Sequence, residues 1–337
     1  MRDVTVRAVD FSNMAHRMWF RARSLEALAG AVLRELEGQE KRHGRAAVRV
    51  CLDSPFPSFR SESPLLPDFK GGRSKGDRPG TTDMTDACRG PLVSAGYRLR
   101  EADGMEADDV VTTVVAEAVR AACRVDVVSK DTDLLQVVDD ARSVRVLWPD
   151  DHGGETVMDE AAVRAYFLAH KDYRAPVSPG QILDLRVLAG GKDNLPRVEI
   201  PGDGRPFGFT TARAADLLSQ GASLDSLYAG DRWRCSPKEA RWLDHCREAA
   251  FARRDVLRLR SDLVLQCTDP AGGSRAPAAA PAAPAGPEMV PCLDCGKPAP
   301  ANKASYSGIC SGCTPARRAG VWDYRPAGAA VAAGGSR

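Results

Sequence analysis

The chain has 337 residues, of which 43% are apolar and 27% charged, with a formal net charge of +2. That length and balance fit a folded protein with a sizeable core, and they argue against a disordered or collagen-like chain. No apolar run approaches the roughly 18–20 residues of a membrane span, and MRDVTVRAVD lacks a signal-peptide layout, so the expectation is a cytoplasmic protein with no membrane partner.

Taken in chain order, VTVRAVD (4–10) alternates and ends on an acid, which predicts a strand. Leu25, Leu28, Val32, Leu33 and Leu36 recur at helical spacing behind Ser24, a helix-capping residue type. AVRVCLD (47–53) is a second strand that ends on an acid. Residues 54–80 are rich in Pro, Gly, Ser and basic residues and predict a loop or arch, with Arg60, Lys70, Arg73, Lys75 and Arg78 giving it positive charge. A helix over 82–95, a strand over 96–101, an apolar helix over 106–122, a strand over 124–129, a helix from 132 and a strand over 143–148 follow. This alternation predicts an α/β domain with a mainly parallel sheet. Helices are predicted at 159–170, 179–189, 210–220, 223–229 and 237–250, before an Ala/Pro-rich linker over 270–289.

The acids concentrate where such a sheet binds ligands, beyond the carboxyl ends of its strands. Asp10, Asp53 and Asp131 fall at or just past strand ends; Glu106, Asp108 and Asp109 open a helix; Asp133 lies two residues beyond Asp131. Gathering seven carboxylates is costly unless a cation neutralises them, and hard divalent ions such as Mg²⁺ and Mn²⁺ prefer such oxygen ligands. Two ions about 4 Å apart would clamp the attacking and leaving oxygens of a phosphodiester. The plainer alternative is that the acids are solvated helix residues and caps.

Near the C-terminus, CLDCGKPAPANKASYSGICSGC places two C-x₂-C pairs fourteen residues apart. Cys292, Cys295, Cys310 and Cys313 have the spacing of a tetrahedral, structural zinc site. The other six cysteines are scattered singly and are expected to be reduced.

Together, AVDFSN, CLDSPFPSFRSE, GMEADDV, SKDTDLLQVV, LAGGKDNLP and FGFTTARAADLL resemble the 5′–3′ exonucleases and flap endonucleases of the bacterial and phage branch, including the 5′ nuclease domain of DNA polymerase I. The resemblance covers about residues 3–269. It implies a PIN-like catalytic domain over 1–175 with an arch at 54–95, a helical DNA-binding region with a helix–two-turn–helix over 176–269, and two-metal hydrolysis of DNA with 5′ ends or flaps, in replication or repair. With no polymerase segment following, it implies a stand-alone form of the kind carried by phages. Carried over residue by residue, Asp10, Asp53, Glu106, Asp108 and Asp109 would hold the first ion. Asp131, Asp133 and Asp193 would hold the second. Lys70 and Arg73 would act on the scissile phosphate, with Arg60 beside them. Gly202, Gly204, Gly208, Thr210, Thr211 and Arg213 would contact the duplex backbone, with K⁺ in the hairpin as in some relatives. The zinc module at 290–325 is an addition to the family pattern that could dock replication proteins, and 326–337 is expected to be a disordered tail. One departure stands out: Gly190 or Gly191 replaces the first acid of the usual GDxxDN, one residue is missing, and Lys192 adds positive charge. That keeps open a structure-specific DNA-binding protein that has lost cleavage. A PIN-like RNase is a third reading.

Overall fold

The computed structural model describes residues 4–44, 46–64, 79–150, 154–189 and 208–270, with the backbone of four short strands at 198–199, 206–207, 289–291 and 298–300. The chain divides into two units, Met1–Ala276 and Pro277–Arg337.

The first unit is built on a seven-stranded sheet. The strands are β1 (Thr5–Asp10), β2 (Ala47–Cys51), β3 (Arg98–Glu101), β4 (Arg124–Val128), β5 (Val144–Pro149), β6 (Glu155–Met158) and β9 (Gln266–Thr268), in the order β6-β5-β4-β1-β2-β3-β9. The five inner strands run parallel, and β6 and β9 close the two edges antiparallel. Both faces are covered, which is why β4 reads RVDVV with its last four residues buried.

Helices α1 (Phe11–Ala22), α2 (Leu25–His43) and α3 (Thr81–Ser94) pack Phe11, Met14, Leu28, Leu36, Met84 and Leu92 against one face. The other face carries α4 (Ala107–Arg120), α5 (Glu160–Ala169), α6 (Ile182–Ala189), α7 (Thr211–Ser219), α8 (Leu224–Ala229) and α9 (Pro237–Leu257). Fully burying a Val or Leu side chain contributes about 1.5–3 kcal/mol, so the valines of α4 and β4 anchor this layer. A short antiparallel pair, β7 (Val198–Glu199) with β8 (Pro206–Phe207), lies between α6 and α7.

The mainly parallel α/β sheet expected from the alternation is present. Four elements depart from the sequence reading. Helix α1 begins directly at the end of β1, with Asp10 as its cap. Edge strand β6 lies between β5 and α5. Strand β9 returns from the helical region to pair with β3, tying residues beyond α9 to the sheet. The helix expected from 132 is a single 3₁₀ segment, Thr132–Val137. Cys51, Cys88, Cys123, Cys235, Cys246 and Cys267 are free thiols. No helix among the described residues is long and apolar enough to cross a membrane.

In the second unit the described backbone is one antiparallel pair, β10 (Met289–Pro291) with β11 (Pro298–Pro300). Cys292, Cys295, Cys310 and Cys313 lie outside the described residues, as do Lys70, Arg73, Asp193, Gly202 and Gly204.

Candidate metal centre

Three neighbouring parallel strands deliver three acids to one edge. Asp10 ends β1, opposite Cys51 of β2; Asp53 lies two residues past Cys51; Asp131 lies three past the end of β4, the other neighbour of β1. Glu106 caps α4, and Asp108 stands in that helix's first turn.

Neutral donors hold each acid in place. Asp10 is 3% exposed, and its carboxylate accepts from the Asn13 N–H at 3.0 Å and from Ser129 Oγ at 2.7 Å. Asp53 accepts from the Ala107 N–H at 2.6 Å and Ser12 Oγ at 2.5 Å, which binds the end of β2 to the starts of α1 and α4. Asp131 accepts from the Asp133 N–H at 2.9 Å, and its own N–H donates to Ser129 Oγ at 3.0 Å. These donors orient the carboxylates and leave lone pairs for a ligand.

One ligand oxygen from each of Asp108, Asp131 and Asp133 lies within 4.8 Å of the others, within reach of a single cation. The electrostatics agree with that geometry. Burial, then the charges of Asp131, Asp10, Glu106 and Asp53, push the Asp108 carboxyl well above its ordinary range. Burial likewise raises Asp10 to about 7; hydrogen bonds from Ser129 and Asn13 oppose the shift, and the Asp131 and Asp53 charges reinforce it. The acids therefore face one another at a cost, and their all-oxygen donor set fits a hard divalent ion.

That cost has a sign that can be measured. An acid whose folded pKa stands above its unfolded value of 3.8 costs stability progressively as pH rises from about 4 to about 7. Each pKa unit corresponds to about 1.4 kcal/mol. In EDTA, the melting temperature is expected to fall between pH 5.5 and pH 8. Mn²⁺ is expected to raise it more at pH 8, because at pH 5.5 the ion must first displace a proton. Differential scanning fluorimetry at both pH values checks this; an equal Mn²⁺ effect at the two would refute it.

Asp109 corrects the sequence expectation. It is fully buried and paired with arginine: Arg60 Nη1 donates to its Oδ2 at 2.5 Å, while Arg60 Nη2 and the Arg260 N–H each donate to Oδ1 at 2.8 Å. Arg60 is corrected with it. Expected beside DNA, it is 3% exposed, bonds the carbonyls of Val256 and Arg258 at 3.0 and 3.1 Å, and reaches Glu106 at 3.1 Å. The physical reason is pairing: a guanidinium can be buried only if its N–H groups are satisfied, and two carboxylates with two carbonyls satisfy them. Burial lowers the Arg60 pKa, but the hydrogen bond and charge of Asp109, with Glu106 and Asp108, outweigh it.

Asp133 forms an ion pair with Arg186 of α6, a residue the sequence reading did not single out. Within ILDLRVLA nothing distinguishes Arg186 from a solvated helix charge, so no local signal pointed to it. Gly208, Thr210 and Thr211 lie at the start of α7, with Thr210 capping it by accepting from the Arg213 N–H at 3.2 Å. The Arg213 side chain pairs with Glu239 at 2.8 and 3.1 Å, Asp216 at 2.7 Å and the Arg234 carbonyl at 2.5 Å, bracing α7 on α9.

Residues 5–167 match the family model of the 5′-3′ exonuclease N-terminal resolvase-like domain. The chain is 32% identical to a 5′-3′ exonuclease of Streptomyces coelicolor over 68% of its own length and 74% of the relative's. It is 30% identical to flap endonuclease Xni of Serratia proteamaculans, covering 66% and 80% of the two chains. DNA polymerase I of Thermus thermophilus is 29% identical over 77% of this chain, which spans only 29% of that polymerase. In fold, the chain resembles the bacteriophage T5 5′-exonuclease solved with divalent metal ions (zinc), with a TM-score of 0.57 at 16% identity over 76% of this chain and 89% of that one. With a relative this similar spanned over most of its length, and the strand-end acids in place, the chain belongs to the 5′-3′ exonuclease family and is a nuclease, a hydrolase of phosphodiester bonds.

Proposed function

We propose that this protein is a divalent-metal-dependent 5′ nuclease acting on DNA with 5′ ends or flaps, in replication or repair. The observation that carries the reading is the convergence of Asp10, Asp53, Glu106, Asp108 and Asp131 at one sheet edge, with Asp108, Asp131 and Asp133 within reach of one ion. Mg²⁺ or Mn²⁺ held there supplies positive charge to the scissile phosphate and makes a water nucleophilic at neutral pH. The residues of the chain do the rest. Ser129, Asn13, Ser12 and the Ala107 N–H hold the carboxylates in register, and Arg60 fixes Glu106. No His or Ser nucleophile is required.

Lys70 and Arg73 supply further positive charge to the phosphate. The N-terminus of α7, with Gly208, Thr210 and Thr211, binds a duplex phosphate through its unpaired backbone N–H groups, and contacts of that kind read no bases. A T5 flap endonuclease of the same fold has been solved with DNA and metal ions, which supports DNA as the substrate. Cys292, Cys295, Cys310 and Cys313 form a structural zinc site that folds the C-terminal module. The two-ion form of the mechanism expected from the sequence would draw on Asp131, Asp133 and Asp193 for its second ion.

The test is cleavage of a labelled 5′-flap duplex by the full chain. With Mn²⁺ or Mg²⁺, short 5′ products are expected, and EDTA is expected to abolish them. Binding of the flap duplex without cleavage under either ion would overturn the enzymatic reading in favour of a DNA-binding protein.

A further inference from the structure

Residues 54–59 lead from Asp53 to the buried Arg60 and are fastened at both ends to the segment that opens α4. The Ser54 N–H donates to the Met105 carbonyl at 3.0 Å, and Ser54 Oγ accepts from the Gly104 N–H at 2.9 Å. At the far end the Phe59 N–H donates to the Gly104 carbonyl at 3.0 Å, and Arg60 bonds Asp109 and Glu106. Between these fastenings Pro55, Phe56 and Pro57 are all exposed, Phe56 at 60%. Single apolar residues on a surface are ordinary; three in succession on a stapled turn are not. The turn is also stiff. Each proline fixes its own φ, Pro57 keeps Phe56 out of the helical region, and the Phe56 N–H donates to Ser54 Oγ at 3.0 Å. The backbone under the exposed ring therefore has little freedom left to lose on binding.

The place of this turn decides what it can bind. Ser54 follows Asp53 and Met105 precedes Glu106, two of the acids at the sheet edge. Three residues span at most about 11 Å, so Phe56 stands at the rim of the acid cluster. A DNA strand that lays a phosphate on an ion there carries a nucleobase to either side of it. An exposed aromatic ring accepts any base, because every base has a flat π face. A paired base inside a duplex is already stacked on both faces, so the base that gains from the ring is an unpaired one.

We infer that Phe56 is a stacking platform for an unpaired nucleobase of the strand being cut, and that it holds this base so that the adjoining phosphate stays at the acid cluster. The inference deepens the metal-dependent nuclease reading above and rests on it.

Binding of a 5′-flap duplex to the full chain, followed by fluorescence anisotropy in Ca²⁺, tests it, with an abasic nucleotide walked through the positions on either side of the flap junction. The wild type and Phe56→Tyr, which keeps the ring, are expected to bind about tenfold more weakly when one of these bases is missing, the scale of one lost base stack. Phe56→Ala is expected to bind the intact duplex about tenfold more weakly, to lose nothing further at that position and to melt as the wild type does. Single-turnover cleavage with Mn²⁺ is expected to show the same non-additivity. Phe56→Ala with wild-type affinity for the intact duplex overturns the inference, as does Phe56→Ala with the wild type's sensitivity to the missing base. A lowered melting temperature of Phe56→Ala assigns the ring to packing on its own chain and also overturns it. A wild type that neither binds nor cleaves the flap duplex overturns the nuclease reading itself, so the two failures are distinguishable.

Discussion

Asp108→Asn is expected to abolish flap cleavage and, at the same time, to make the metal-free protein more resistant to heat. The two effects have one cause. Asp108 is the carboxylate most crowded by its neighbours, with Asp131, Asp10, Glu106 and Asp53 all raising its pKa on top of burial. In the metal-free protein at pH 8 that like charge is uncompensated, and a neutral amide of the same shape relieves it. With the ion, the same carboxylate is one of three whose oxygens lie within 4.8 Å of one another, and an amide is a poorer ligand for a hard cation. A metal ion contributes several kcal/mol to transition-state stabilisation, so the rate is expected to fall by about 10³-fold or more. Single-turnover cleavage with Mn²⁺ and melting in EDTA measure the two halves. Activity within tenfold of wild type would remove Asp108 from the ion site, and a lowered melting temperature in EDTA would show that the cluster carries no repulsion.

Arg60→Ala is expected to be the most destabilising single truncation around the site, by about 3–5 kcal/mol, because it strands a fully buried carboxylate. Arg60 joins three distant pieces of chain: the entry to the basic loop, the first turn of α4 through Asp109 and Glu106, and the exit of α9 through the Val256 and Arg258 carbonyls. Among the described residues, Asp109 retains only the Arg260 N–H once Arg60 is gone. Urea denaturation at pH 7 checks the magnitude. Adding Asp109→Asn to Arg60→Ala is expected to recover part of the loss, since an amide has no charge to strand. A loss below about 1 kcal/mol for Arg60→Ala, the level of an exposed ion pair, would mean that solvent reaches the pair.

Much of this architecture was legible locally. The apolar runs of β1, β2, β4 and β5 mark themselves as inner strands, and acids at their ends fall where a parallel sheet opens to ligands. Caps were equally plain: Ser24 accepts from the Ala27 N–H at 3.2 Å, as its position before an apolar period suggested. What escaped was short or dependent on distant partners. Strands β6 and β9 have four and three residues and exist because β5 and β3 offer unpaired edges. Helix α1 is hidden in the sequence because its cap, Asp10, is also the last residue of β1, with no loop to separate the two elements.

The residue types, their spacing and their order along the chain determined that this is an α/β nuclease of the 5′-3′ exonuclease family with its carboxylates at the strand ends. Only the tertiary structure decided which acids face one another and which face arginine. Asp108 and Asp109 are adjacent in the chain, yet a helix turns successive side chains by about 100°, so one joins Asp131 while the other meets Arg60, 49 positions away. A carboxylate's role follows from the charge packed against it, and the partners here, Arg60 for Asp109 and Arg186 for Asp133, come from other elements that folding alone brings into contact.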